Sequence, residues 1–429
     1  MSEGPTPAGD IRVNVPPSTY GLWTGQSISV FGSMLTSLSL VLWLQQKGAS
    51  PSVVSSYFVA ASLTGLIAGL LSGPIADRYS KRIVVITGDV LAGCSVTCLA
   101  LLYYLDVLNF WPLICSIIFL RCIIIVASNI RGPALSTYVA AVVPKDGFRR
   151  FNSAFTATRQ VSGAIGEASG ASMFALLGAG MMFTIDLASY LIAIVLSFFC
   201  MKPGVGVRLK AEGPKRSKAA VLLADSKEGF SYIKGHRELT LLVILALTMN
   251  IFYAPVIAWI PFRISSAVPD QEGWLGYANS ALTVGMIAGS LLGGYLSRVR
   301  GKELLAIKMA SLIVGGVLVG YGLMEGRLLS LFFSAALGLS VGFFNVVETS
   351  YIVELAKPEM RGRVMAFVST MGQVVSPVSI AVGGWIASRS APGLGPLFVA
   401  SGAFMIVAAI IFIFHRSSGV PNEVQDAAG

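Results

Sequence analysis

Twelve times in 429 residues this chain runs for about twenty residues with almost no charge, the length a helix needs to cross a hydrocarbon core. The stretches are 23–44, 53–75, 83–105, 111–130 (or, as an alternative, on through Pro133), 151–177, 181–200, 239–260, 274–296, 304–323, 328–353, 364–387 and 397–414. Inside a bilayer, backbone amides and carbonyls find no water, so such stretches must pair them internally as helices. Composition agrees: 12% of the residues are charged, against roughly 25% in soluble domains. With a mean hydropathy of +0.76, there is too little polar surface to cover a water-soluble body. The expectation is an all-α membrane protein of twelve transmembrane helices.

Lysine and arginine set the expected orientation. With both ends inside, the outer loops hold only Lys47, Arg263, Arg327 and Arg389, while the inner loops collect Arg78, Lys81, Arg82, Arg149, Arg150, Lys357, Arg361, Arg363 and others. Short loops rich in cations stay cytoplasmic, so both termini are expected there. Inner-leaflet anchoring accounts for the net charge of +10, and no nucleic-acid partner is needed. The organisation that follows is a flexible tail (1–19), a six-helix bundle (20–200), a central loop (201–238), a second six-helix bundle (239–416) and a second tail (417–429). The central loop becomes amphipathic over 217–234, with Val221, Leu222, Phe230 and Ile233 as the expected buried positions. Segment 293–302 repeats the pattern of 73–82, with Ser297 where Asp77 stands. Two similar halves around one central loop suit transporters built from structural repeats.

No Gly-x-x-x-x-Gly-Lys-Ser/Thr phosphate loop occurs, His236 and His415 are the two histidines, and all five cysteines fall in apolar stretches. No cofactor, metal site or enzyme activity is expected. Trp43 and Trp259 stand at outer span ends, where an interfacial aromatic belt is expected.

Ionisable residues inside membrane spans cost about 2.5–3.5 kcal/mol each on insertion scales and mark function. Here they are Asp89, Arg121, Arg159, Glu167, Asp186 and Glu348. Glu167 lies near the middle of its span, eight residues after Arg159, so both project from one helix face. Two readings fit Glu167: a carboxylate that trades a proton for a cationic or polar substrate, or a permanent ion pair between the fourth and fifth helices. Glu348, with Asn345 three residues earlier, lines a cavity or accepts a hydrogen bond between helices. Asp186 reads as structural capping or gating. Asp89, near the cytoplasmic end, is expected to pair with a loop cation.

The run Gly73-Pro74-Ile75-Ala76-Asp77-Arg78-Tyr79-Ser80-Lys81-Arg82 resembles the signature loop of the major facilitator superfamily, G-x-L-A-D-R-x-G-R-K. The resemblance extends over nearly the whole chain. Phe183-Thr184-Ile185-Asp186-Leu187-Ala188-Ser189-Tyr190 and Pro358-Glu359-Met360-Arg361-Gly362-Arg363-Val364-Met365-Ala366 look like the branch of macrolide efflux proteins and the enterobactin exporter. The resemblance implies that Asp77 caps a helix of the other half, near Val364, as a conformational latch; the alternative is that Gly73, Asp77, Arg78, Lys81 and Arg82 only set topology. The family's G-x-x-x-G-P-x-x-G-G pattern corresponds to Gly163, Gly166 and Gly170, with Glu167 in place of the proline. Arg121 loosely matches the family's fourth-span arginine. What the resemblance implies is a monomeric secondary transporter in a bacterial inner membrane, exporting a hydrophobic or amphipathic small molecule (drug, macrolide or siderophore) in exchange for protons. A lysolipid flippase or proton-coupled importer on the same fold, and a non-transporting receptor or scaffold, are the alternatives.

Overall fold

The structure, a computed structural model, describes residues 16–205, 218–268, 274–296, 303–390 and 394–414. Every regular element among them is helical. The amino-terminal half comprises α1 (Pro17–Gln46), α2 (Pro51–Arg78), α3 (Lys81–Leu105), α4 (Phe110–Val142) and α5 (Lys145–Cys200). Next comes α6 (Lys218–Lys234), followed by the carboxy-terminal half: α7 (Arg237–Ala267), α8 (Trp274–Leu296), α9 (Glu303–Leu323), α10 (Arg327–Leu355), α11 (Arg361–Ala387) and α12 (Gly395–Phe414). Proline stands at the first helical position of both α1 and α2, where the missing amide proton costs nothing.

Helix α5 is two crossings joined at Gly178, whose φ of 75° and ψ of 168° are non-helical. Positive φ suits glycine, and the chain reverses there. Gly180 follows, so close to Tyr104 that a Cβ would stand 2.6 Å from the ring. With the two arms of α5 (145–177 and 179–200) counted separately, each half has six crossings.

Several helix ends differ from the sequence expectation. Helix α4 does not stop at Ile130 but runs on through Arg131 and Pro133 to Val142. Asp77 and Arg78 end α2 while Lys81 and Arg82 begin α3, leaving only Tyr79 and Ser80 between the helices. Arg263 is not in a loop. It lies buried in α7, where its guanidinium donates to the carbonyl of Tyr321 (3.2 Å) and to that of Met324 at the end of α9. A cation near the open carbonyls of a helix C-terminus replaces the partners they lack. Trp43 and Trp259 are buried, not interfacial; Trp43 packs on Tyr103 and Phe183, and Trp259 on Phe398.

The face where α2 ends and α3 begins is called the basic face below, and the far one the opposite face. Apolar side chains cover much of the outer surface, Leu176, Phe199 and Leu328 among them, which suits hydrocarbon and not water. Helix α6 lies on the basic face against α11. Glu228 pairs with Arg363 (2.8 Å), Phe230 meets Phe367, and a Cβ on Gly229 would stand 2.3 Å from the Arg363 carbonyl oxygen. Ile233 is buried as expected, whereas Phe230 is exposed; the side chains of Val221 and Leu222 lie outside the described set.

The halves meet along two seams, α2 with α11 and α5 with α8. Among the described residues, close contacts between the halves lie towards the opposite face. There, Gln45 Nε2 of α1 donates to Ser265 Oγ (2.7 Å) and to the Pro261 carbonyl (3.1 Å) of α7. Gly384 of α11 packs on α2, where a Cβ would stand 2.3 Å from Ser55 Cβ. Gly384→Val is therefore expected to force α2 and α11 apart at that face. The check is labelling of Ser55→Cys by a membrane-impermeant maleimide: faster labelling in the Gly384→Val background is expected, and an unchanged rate would show that Gly384 does not hold the gate.

Candidate transport site

The first arm of α5 carries a stripe of small residues that receives α1. A Cβ on Gly166 would meet the Phe31 carbonyl oxygen at 2.8 Å, one on Gly170 would meet Leu38 at 3.1 Å, and one on Gly163 would meet Val30 at 3.4 Å. Small residues let helix backbones approach this closely. The next position round the helix from that stripe is Glu167. Its side chain is exposed, and no ion pair forms on it among the described residues. It borders the seam with the other half: Asn279 Nδ2 of α8 reaches the Glu167 carbonyl (3.5 Å), and Ser280 Oγ donates to the carbonyl of Ala168. Tyr253 of α7 lies within electrostatic reach of the Glu167 carboxylate. An acid thus stands beside the α5–α8 seam between the halves.

Arg159 does not join it. Its guanidinium stacks over Phe155 (5.7 Å) and senses Arg131 and Asp89, with Nε left buried and unbonded. Arg121 donates to Ser37 Oγ of α1 (3.0 Å). The structure therefore separates Arg159 from Glu167, which sequence spacing put on one helix face, and engages Arg121 with α1. Glu348 is buried in α10, one oxygen accepting from Thr349 Oγ1 (3.3 Å) and the other without a partner, whereas Asn345 is exposed.

Asp89 is the clearest correction. It is fully buried and pairs with Arg131 of α4, not with a loop cation. Gln26 Nε2 of α1 donates to its other oxygen (3.1 Å), and Arg131 also reaches Ser29 Oγ (3.3 Å). Gly88 makes the approach possible, since a Cβ there would stand 3.2 Å from the Ala127 carbonyl oxygen of α4. Arg131 escaped sequence reasoning because the fourth stretch was counted only as far as Ile130, one residue short of it. The available signal was on α1: Gln26, Ser29, Ser33 and Thr36 recur every three or four residues, a polar face of one helix.

Among the loop residues, Lys81 is buried at the start of α3. Arg82 donates to the Phe198 carbonyl (2.8 Å) near the end of α5 and lies over the Phe198 ring (4.6 Å). The latch expectation for Gly73, Asp77 and Arg78 rests on side chains outside the described set.

A family model for the Major Facilitator Superfamily matches residues 22–334 and 273–428. The chain belongs to this superfamily. Among its relatives is macrolide efflux protein A of Streptococcus pyogenes, 22% identical over 394 residues, covering 91% of this chain and 94% of that protein. Another is the multidrug efflux pump Tap of Mycolicibacterium fortuitum, 22% identical over 397 residues, covering 89% and 92%. The nucleoside transporter NupG shares the fold, with a TM-score of 0.66 at 14% identity over 93% of this chain and 98% of that one. This major facilitator protein is thus an integral membrane transporter of small molecules with the superfamily's two six-helix halves.

Proposed function

We propose that this transporter exports a hydrophobic or amphipathic small molecule in exchange for protons, by alternating access, from a bacterial inner membrane with its basic face in the cytoplasm. The observation that carries this is Glu167: an acid without an ion pair among the described residues, exposed beside the α5–α8 seam and within reach of Tyr253. A carboxylate at the seam of the two halves holds either a proton or a cationic substrate group, and the competition between them is the exchange. The macrolide and multidrug efflux relatives support the direction. The excess of lysine and arginine on the basic face supports the orientation.

The test is transport into sealed vesicles under an imposed pH gradient. Radiolabelled erythromycin is the first probe and ethidium the second. The wild type is expected to respond to the gradient and to lose the response with a protonophore. Glu167→Gln is expected to reduce gradient-driven transport to the level of empty vesicles and to weaken probe binding, with normal expression. Unchanged transport in that variant would remove Glu167 from the mechanism.

The lysolipid flippase reading is favoured by one observation. A cavity of 510 Å³ between α7, α11 and α12 is almost wholly apolar, lined by Phe252, Trp259, Val378, Val382 and Phe404 among others. A fluorescent lysolipid in the same vesicles separates the two readings.

A further inference from the structure

Asp186, on the second arm of α5, is fully buried inside the amino-terminal half, away from the seam. Its Oδ1 accepts from Ser189 Oγ (3.1 Å), and its Oδ2 has no hydrogen-bond partner. The Thr36 hydroxyl lies beside the carboxylate without being aligned for a bond to it. Gly32 of α1 makes the space, since a Cβ there would stand 2.6 Å from Oδ1. The charged and titratable groups that face Asp186 are Arg121 and Arg131 of α4 and Tyr190 on its own helix. No cation lies within ion-pair distance among the described residues: Arg131 is held by Asp89, and Arg121 is bonded to Ser37.

A series of polar groups lies between this site and the Asp89–Arg131 pair. Tyr190, one helical turn after Asp186, pairs its hydroxyl with Ser33 Oγ (2.9 Å). Ser33 Oγ donates to the Ser29 carbonyl (2.8 Å), and Arg131 reaches Ser29 Oγ. The Arg131 guanidinium also lies over the Tyr190 ring (5.9 Å).

An isolated anion in this interior is costly, and burial favours whichever form is neutral or paired. A metal cation is a poor occupant, because hard cations collect about six oxygens and the site offers one carboxylate and the hydroxyls of Thr36 and Ser189. We propose that Asp186 is a proton-binding residue of the transport cycle, coupled through the α1 polar face to the Asp89–Arg131 pair. The inference rests on the proton-exchange reading above. With the proton on Oδ2, the acid can donate to Thr36 Oγ1 and Arg131 stays with Asp89. When the proton leaves to water, the carboxylate becomes an anion that competes with Asp89 for Arg131, and α4 must shift against α1 and α3. Proton binding inside one half thereby becomes helix movement, while Glu167 meets the substrate at the seam.

The experiment compares the wild type, Asp186→Asn and Glu167→Gln in vesicles with the probe that the wild type transports. For Asp186→Asn, gradient-driven transport is expected to fall to the level of empty vesicles while counterflow of the probe, which needs no net proton movement, persists; Glu167→Gln loses binding as well. Gradient-driven transport by Asp186→Asn at the wild-type rate would overturn the proposal. If the wild type ignores a pH gradient, the proton-exchange reading itself falls, and this inference with it. Transport driven by a sodium gradient and abolished in Asp186→Asn would overturn the proton as the bound species. Should Asp186→Asn not fold, the infrared spectra of the wild type and of Asp186→Glu, both labelled with carboxyl-13C aspartate, decide: a neutral-acid band that disappears on alkalinisation and is missing from Asp186→Glu is expected, and its absence from the wild type at every pH, or its persistence in Asp186→Glu, overturns the proposal.

Discussion

Arg131→Met is expected to cost about 3–5 kcal/mol of folded-state stability, the range for removing one partner of a buried ion pair. The reason lies in what it leaves behind. Asp89 is completely enclosed, and without Arg131 its carboxylate keeps only the amide of Gln26. Asp89→Leu alone strands the guanidinium in the same way. The double variant, Asp89→Leu with Arg131→Met, removes both charges and is expected to recover most of the loss, since apolar replacement of a buried pair is often close to neutral. Recovery falls short of wild type by about 1–3 kcal/mol, because Gln26 Nε2 then lacks its acceptor. Unfolding midpoints of the four proteins in detergent, followed by circular dichroism, form the cycle. Single variants as stable as the double would show that the pair holds nothing together.

Gly338→Val is expected to yield aggregated protein and no transport. Helices α8 and α10 interlock through glycines on both sides. A Cβ on Gly338 would stand 1.9 Å from the Leu282 carbonyl oxygen, and one on Gly342 would be 2.2 Å from that of Met286. From the facing helix, Cβ atoms on Gly285 and Gly289 would meet the carbonyls of Ala335 and Leu339 at 2.2 and 2.0 Å. These neighbours are backbone atoms of helices and cannot swing aside as a side chain would. The cost therefore exceeds the roughly 1–3 kcal/mol of an ordinary overpacked core. Gly316→Ala is the control, as a Cβ there meets nothing within 4 Å. The measurement is the monodisperse fraction after solubilisation: wild-type-like for Gly316→Ala and lost for Gly338→Val. A folded, active Gly338→Val protein would mean that α8 and α10 do not pack this closely.

The crossings were legible because hydrophobic runs of membrane length have few alternatives. Even the turn at Gly178 was marked, by the break between 177 and 181. Glu167 was legible as an acid in an apolar span, and its position between the α1 contact and the α8 seam gives that observation a place in the bundle. Arg131 was not legible. The fourth stretch was counted only to Ile130, one residue short of it, and only the partner on another helix makes that cation tolerable inside. Arg263 was misplaced for the same reason: its acceptors are the carbonyls of Tyr321 and Met324, 58 and 61 residues away in the chain.

By itself, the sequence determined that the chain lives in a membrane, how many times it crosses, which loops are basic and which superfamily it resembles. All of these are local properties, because transfer into hydrocarbon is decided residue by residue along each span. Only the tertiary structure decided which charges meet: Asp89 with Arg131, Arg159 away from Glu167, and Asp186 with no ion partner among the described residues. It also decided where α1 meets α7 and α2 meets α11 towards the opposite face. Those facts depend on which helices lie side by side and how each is rotated. Rotation is set by contacts such as Gly88 on α4 or Gly32 on Asp186, which join residues far apart in the chain, so that a periodic mark on one segment does not say which segment it faces.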